Sequence, residues 1–462
     1  MDYQPPPNGW RTFLITWATQ AVSVFGTALT LFAMNIWLTQ TMYPRPEQRP
    51  QLAWALAAVN LAWALPVVFG APIAGAWADR HDRKRTMIVM DFASGCLTLL
   101  LAVLVITETL QVWMLVIVAA CAAIFGAFHG AAFDTSYAML VPEAKLPRAN
   151  GMMQTIWALS GILSPMLAAA LIALPALARQ DALWAPLNRL LAPLASGAGL
   201  AMMIDAATFL VAAVALLFLF IPSPTRTDLT GVGGKPVSLW ADVKTGALYI
   251  WRRRPLLWLL GTFTLANFAN SPMGVLQPLL VKFNLAPNWS ALGMTFETAL
   301  AALATVASIG GVAGGLIIST WGGLKRRRVY GVIVPLIVAG VTQVVFGLSS
   351  WLYLSAAMAL LMDAMLPFMN AHSQTIWQTQ VPHELQGRVF SVRRLIAQCT
   401  YPLGAALAGL LGGLLDPGMI IAALGCLLVI FCIAQLFNPY LLRVEDKTML
   451  DNMAAQAEAR PV

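Results

Sequence analysis

Twelve stretches of this chain are each long and apolar enough to cross a lipid bilayer, which excludes most ways a chain can fold. A spanning helix needs about 20 consecutive apolar residues. Runs of that kind lie near 13–38, 52–77, 86–106, 112–139, 150–176, 198–221, 256–283, 296–320, 329–349, 351–379, 389–415 and 418–441. Inside lipid every backbone N–H and C=O must find a partner within the segment, so such runs read as helices. Composition agrees, with 59% hydrophobic and 10% charged residues. Soluble domains carry about 25% charged residues, and a coat as thin as this one cannot cover a soluble surface. The prediction is an all-α polytopic membrane protein with twelve transmembrane helices.

The first run is too long for the apolar core of a cleavable signal peptide. Between the sixth and seventh runs lies a polar stretch, 222–254, containing Pro224, Gly231, Gly233, Gly234 and Pro236. It reads as a central loop carrying a short surface helix over 239–251. It divides the chain into an N-terminal bundle, 1–221, and a C-terminal bundle with a short tail, 255–462. Basic residues orient the whole. Only Arg45, Arg49, Arg179, Arg189 and Lys282 fall in odd-numbered connections, and the other 23 of the 28 Lys and Arg fall in the termini and even-numbered ones. Lys and Arg mark cytoplasmic loops, so both termini and the central loop are expected in the cytoplasm. On this reading the net charge of +8 serves a membrane rim rather than nucleic acid, and no Lys or Arg is placed within a span.

The halves repeat at an offset of about 240 residues. Val141-Pro142 recurs as Val381-Pro382, Arg148 as Arg388, and Ser164-Pro165 as Tyr401-Pro402 at nearly the same offset. Internal repeats are how many secondary transporters are built.

The connection after the second run reads Gly75-Ala76-Trp77-Ala78-Asp79-Arg80-His81-Asp82-Arg83-Lys84-Arg85. An acid at a helix end stands beside a dense basic cluster. Asp79 is a candidate cap for a neighbouring helix N-terminus, where an anion is favoured. This loop resembles the signature loop of the major facilitator superfamily, with Asp82 where that family usually has Gly. Together with Val381-Pro382 through Gly387-Arg388-Val389-Phe390-Ser391, and Val141-Pro142 through Ala149-Asn150-Gly151, it is similar to the macrolide-efflux and enterobactin-exporter branch of drug:proton antiporters. The resemblance implies two pseudo-symmetric six-helix bundles around a central cavity lined mainly by helices 1, 4, 7 and 10. It also implies a monomer in a bacterial inner membrane. Gly75, Asp79, Arg80, Arg83 and Lys84 would be its conformational motif.

Ionisable groups inside a bilayer are costly and therefore candidates for function. Asp363 leads, about 15 Å into the tenth run at 1.5 Å per residue. Low dielectric disfavours the charged form of a carboxyl group, which suits a site that takes up and releases protons. Spacings of three and four place Asp363, Pro367, Asn370, Gln374 and Trp377 on one stripe. Further proton-coupling candidates are His129, Asp134 and Asp205. His129 and Asp134 lie about 140° apart around the fourth helix, so they cannot both face the cavity. His129 shares a face with Phe125, while Asp134 is within reach of the Arg80–Arg85 cluster. Asp91 and Asp205 are read as locally paired. Gln20, Asn35, Phe125, Asn267, Asn270, Gln277, Asn370 and Gln374 are candidates for a mostly apolar substrate cavity with a few hydrogen-bonding groups, although bonds between helices are an equally ordinary use of such residues.

Other chemistries find no support. Gly231 to Pro236 lacks the Ser or Thr of a phosphate loop. Five scattered cysteines show no ligand spacing, and no metal cluster or nucleophile–base pair is visible. Neither an enzyme nor a cofactor is expected. The expectation is a proton-coupled secondary exporter of amphipathic small molecules working by alternating access. The alternatives are a lipid or siderophore exporter, a uniporter, or a membrane scaffold or receptor that has lost transport.

Overall fold

In the computed structural model, which describes residues 6–142, 145–221 and 239–458, eleven of the expected spans are helices long and apolar enough to cross a membrane. The remaining one is split into two shorter helices, and one of the eleven, Leu385–Gly412, also carries a break. In chain order the spanning helices are α1 (Gly9–Ile36), α2 (Arg49–Arg80), α3 (Arg83–Ile106), α4 (Val112–Leu140) and α5 (Leu146–Arg179). After the short α6 (Ala185–Leu191) comes α7 (Ala198–Leu217), and α8 (Leu239–Trp251) is the surface helix expected in the central loop. The stretch read as a single helix over 256–283 is instead α9 (Arg254–Asn270) and α10 (Met273–Phe283). Then follow α11 (Ala286–Ala291), α12 (Phe296–Trp321), α13 (Tyr330–Leu348) and α14 (Leu352–Gln380). The last apolar pair is α15 (His383–Gln398) with α16 (Tyr401–Gly412), and α17 (Pro417–Gln435). Two short helices, α18 (Pro439–Leu442) and α19 (Lys447–Glu458), close the described chain.

The two breaks share a cause and a remedy. Proline lacks the N–H that would bond four residues back, and Pro272 and Pro402 stand at the starts of the second halves. The carbonyl that Pro272 frees, Phe268 O, accepts from Ser271 Oγ at 3.3 Å, and side chains tie the two breaks to each other, as irregular backbone at membrane depth requires. Asn267 Nδ2 donates to Ala397 O at 2.7 Å, and Thr400 Oγ1 donates to Thr264 O at 3.0 Å. Prolines alone do not decide this, because Pro165 and Pro367 lie inside uninterrupted helices.

The chain separates into two compact units. One holds residues 1–229 with 295–305, and the other 230–294 with 306–462. In the first, α1 packs on α5 and α7, α3 on α7, and α2 on α4. Its core at one end is built from Phe13, Met87, Phe133, Leu140 and Leu216. The connection after α5 carries Trp184 and Leu190 at 74% and 69% exposure. This is an apolar outer face suited to a membrane interface. In the second unit α13 packs on α14 and α17, and α8 on α15. Tyr249 on α8 donates to Gln380 O at 2.8 Å beneath the Arg253 guanidinium, 3.7 Å from its ring. Burial pushes the Tyr249 phenol above the usual tyrosine range, an effect that Arg253 opposes and Asp451 reinforces.

Candidate functional site

The signature loop is built around capping. Asp82 Oδ1 accepts from Arg85 N at 2.8 Å and starts α3. The residue that departs from the family's usual Gly is therefore a helix cap. The side chain of Asp79 lies outside the described residues, as does the phosphate-loop-like stretch 231–236. Arg83 is buried and reaches the Ala78 and Thr135 carbonyls at 3.4 and 3.3 Å. Lys84 Nζ donates to Leu217 O at 2.9 Å, tying the loop to the end of α7. Arg80 is exposed and Gly75 half-buried. Replacing Asp82 with Ala should cost about 1 kcal/mol by freeing the first-turn N–H groups of α3. Thermal unfolding in detergent would show it, and an unchanged midpoint would remove the cap from this account.

A polar cluster lies across the first unit. Gln20 on α1 is buried and donates through Nε2 to Asp91 Oδ2 on α3 at 3.2 Å. The other carboxylate oxygen lies 3.2 Å from His129 Nε2 on α4, a charge contact without hydrogen-bond alignment. The His129 ring in turn stacks on Phe133, centroids 6.2 Å apart. Gln20 and His129 were both read as cavity residues, yet both turn to Asp91. Helical spacing identifies a shared face but not the neighbour that meets it. Asp91→Ala would strand two buried polar groups, and a loss of about 2 kcal/mol is expected. A melting curve matching that of the intact chain would show the cluster to be dispensable.

Asp205 on α7 is buried against α1. Thr27 Oγ1 donates to its Oδ1 at 3.5 Å, and a Cβ on Gly26 would sit 2.7 Å from the same oxygen. Asp134 is exposed, Phe125 is half-buried, and Asn35 bonds back to Leu31 O of its own helix.

In the second unit Asp363 sits midway along α14, half-buried, with no hydrogen-bond or ion-pair partner among the described residues. Its stripe divides. Asn370 is exposed, Gln374 accepts from Arg393 Nη1 at 2.8 Å, and Trp377 is fully buried. On the broken helix Asn267 is committed to Ala397 O, whereas the side chains of Asn270 and Gln277 make no hydrogen bond to described residues. His372, nine residues past Asp363, is a structural residue. Its Nε2 accepts from Leu324 N at 2.8 Å, which leaves Nδ1 to donate to Phe368 O at 2.7 Å.

Sequence reasoning counted Arg393 with the basic rim and named it as no site residue. On α15 it reaches Gln374 and Ser373 of α14, a pairing that no spacing in the sequence signals.

Residues 16–399 match the Major Facilitator Superfamily. Macrolide efflux protein A of Streptococcus pyogenes is 26% identical over 413 residues, covering 87% of this chain and 90% of that protein. The Enterococcus faecalis protein of that name is 26% identical over 355 residues, covering 75% and 97%. Among solved structures, the POT family transporter PepTSo superposes with a TM-score of 0.65 at 12% identity, covering 95% of this chain and 98% of that one. The nucleoside transporter NupG gives 0.64 at 13% identity, covering 92% and 98%. At those identities the structures speak to fold alone, and the fold is one of transporters rather than of enzymes. With most of its length matched, this multi-pass membrane chain belongs to the Major Facilitator Superfamily.

Proposed function

We propose that this chain is a proton-coupled exporter of amphipathic small molecules, working by alternating access in a bacterial inner membrane as a monomer. The observation that carries the reading is Asp363, a carboxyl group within an apolar span with no partner among the described residues. A structural carboxylate at that depth would be expected to hold a hydrogen bond or a cation. One that must take and release a proton cannot be permanently committed. The similarity to macrolide efflux proteins supports an amphipathic substrate moving outward. The unbonded polar groups of Asn270, Gln277 and Asn370 suit a site that orients an apolar molecule through few hydrogen bonds.

The same reading counts α9 and α10 together as the twelfth span, giving six spans on either side of the central loop and both termini in the cytoplasm. It takes Asp205 as the second proton candidate, because its described partner is a hydroxyl and not a cation. His129 ranks lower, since Asp91 already faces it. The test is proton movement in proteoliposomes under an imposed pH gradient, followed with a pH-sensitive dye while macrolides, dyes and lysolipids are added. Proton flux evoked by any of these supports antiport, whereas silence across the whole panel sinks it.

A further inference from the structure

Arg393 lies on α15, a largely polar helix that also carries Arg388 and Arg394 and leads into the apolar stretch 395–412. Its Nη1 donates to Gln374 Oε1 at 2.8 Å and its Nη2 to Ser373 Oγ at 3.3 Å, both on α14. The guanidinium lies over the Trp377 ring, 5.1 Å from its centroid. Both acceptors are neutral, and among the described residues no carboxylate lies within ion-pair distance. The neighbouring Arg394 carries the same charge.

The donor count is unbalanced. A guanidinium has five N–H groups, and two are spent. Arg393 is half-buried, and its Nε, which makes no hydrogen bond to a described residue, is not enclosed. Trp377 is fully buried, and its indole N–H has no acceptor. This corner therefore offers N–H groups and a positive charge with nothing anionic to receive them. Holding α14 to α15 would not need a charge, since a neutral amide could bond Gln374 and Ser373 as well. The planar fork of arginine is suited to gripping a carboxylate or phosphate by two parallel bonds.

We propose that Arg393, with Ser373, Gln374 and Trp377, is a recognition site for the oxyanion of an amphipathic solute, a carboxylate or phosphate attached to an apolar body. The inference rests on the transport reading and deepens it by naming a substrate class. Stacking on Trp377 and the bonds to α14 hold the guanidinium in place, so an arriving anion meets a fixed fork.

The test is equilibrium binding to the purified full-length chain in neutral detergent, using decanoate, decyl phosphate, decanol and decyltrimethylammonium as probes. Decanoate and decyl phosphate should bind saturably, and Arg393→Gln should weaken them by about tenfold or more, the scale of a lost charge-assisted pair. Arg393→Lys should recover part of that loss, and decanol should bind the variants as it binds the intact chain. Equal anion binding in the intact chain and Arg393→Gln overturns the proposal, as does a loss that extends equally to decanol. If Arg393→Gln does not fold, the intact chain still decides, because a preference for decyltrimethylammonium over decanoate also overturns it. Displacement of decanoate by phosphatidylglycerol at lower concentration than by decyl phosphate would assign the site to a lipid headgroup and overturn the solute assignment. No gradient enters this assay. Failure of proton coupling in vesicles and failure of anion recognition in detergent are therefore separately visible.

Discussion

Asp363→Asn should reduce substrate-evoked proton movement to the leak of empty vesicles while leaving a folded protein. Asparagine keeps the size and polarity of the side chain but cannot exchange a proton, so it removes only the chemistry that coupling requires. Stability should change little, because Asp363 has no hydrogen-bond or ion-pair partner among the described residues to lose. The informative pair of measurements is dye-reported proton flux and counterflow of a labelled substrate with no gradient. Loss of the first with survival of the second locates coupling at Asp363. Unaltered flux would keep antiport and move the proton to Asp205, His129 or Asp134. Loss of both would mean that Asp363 serves substrate binding instead. Since the carboxyl group lies inside a span, a true coupling role should also make Asp363→Glu partly active, with the proton kept and its position shifted.

The largest stability loss is expected from Gly347→Leu. Helices α13 and α17 approach backbone to backbone. A Cβ on Gly347 would overlap Gly418 O and sit 2.9 Å from Ala422 N, and a Cβ on Gly418 would overlap Gly347 O in return. About two turns away, a Cβ on Gly340 would lie 3.2 Å from Gly425 O. In lipid, where apolar burial gives little drive for helix association, such close contact of small residues is a main source of cohesion. A leucine there must push the helices apart along this seam, at a cost of about 3 kcal/mol. Thermal unfolding in detergent should show a large drop for Gly347→Leu and a smaller one for Gly347→Ala. Gly261→Ala is the control, because a Cβ at that position meets nothing within 4 Å. Equal midpoints for Gly347→Leu and the control would refute the seam.

Several features were legible in the sequence because their causes are local. Apolar length places spans wherever lipid must be crossed, and it located all the long helices to within a few residues at most ends. The polar central stretch announced α8 in the same way. The signature loop was readable because an acid, a glycine and a basic run at fixed spacing carry their meaning without tertiary context. The prolines at 272 and 402 were visible too, but not their effect. Pro165 and Pro367 leave their helices unbroken, while at Pro272 and Pro402 the chain breaks where Asn267 and Thr400 bond from one broken helix to carbonyls of the other.

Polar partnerships were the part that only the tertiary structure decided. Periodicity put Gln20, His129 and Gln374 on plausible faces, yet a face says nothing about which helix lies opposite. Once α1, α3 and α4 pack, Asp91 claims Gln20 and His129, and once α14 meets α15, Arg393 claims Gln374. Asp363 remained uncommitted through the same packing. Hydropathy sums each residue as though it stood alone, so it cannot say what a cation such as Arg393 will meet. Ser373, Gln374 and the Trp377 ring are brought around it only by the fold.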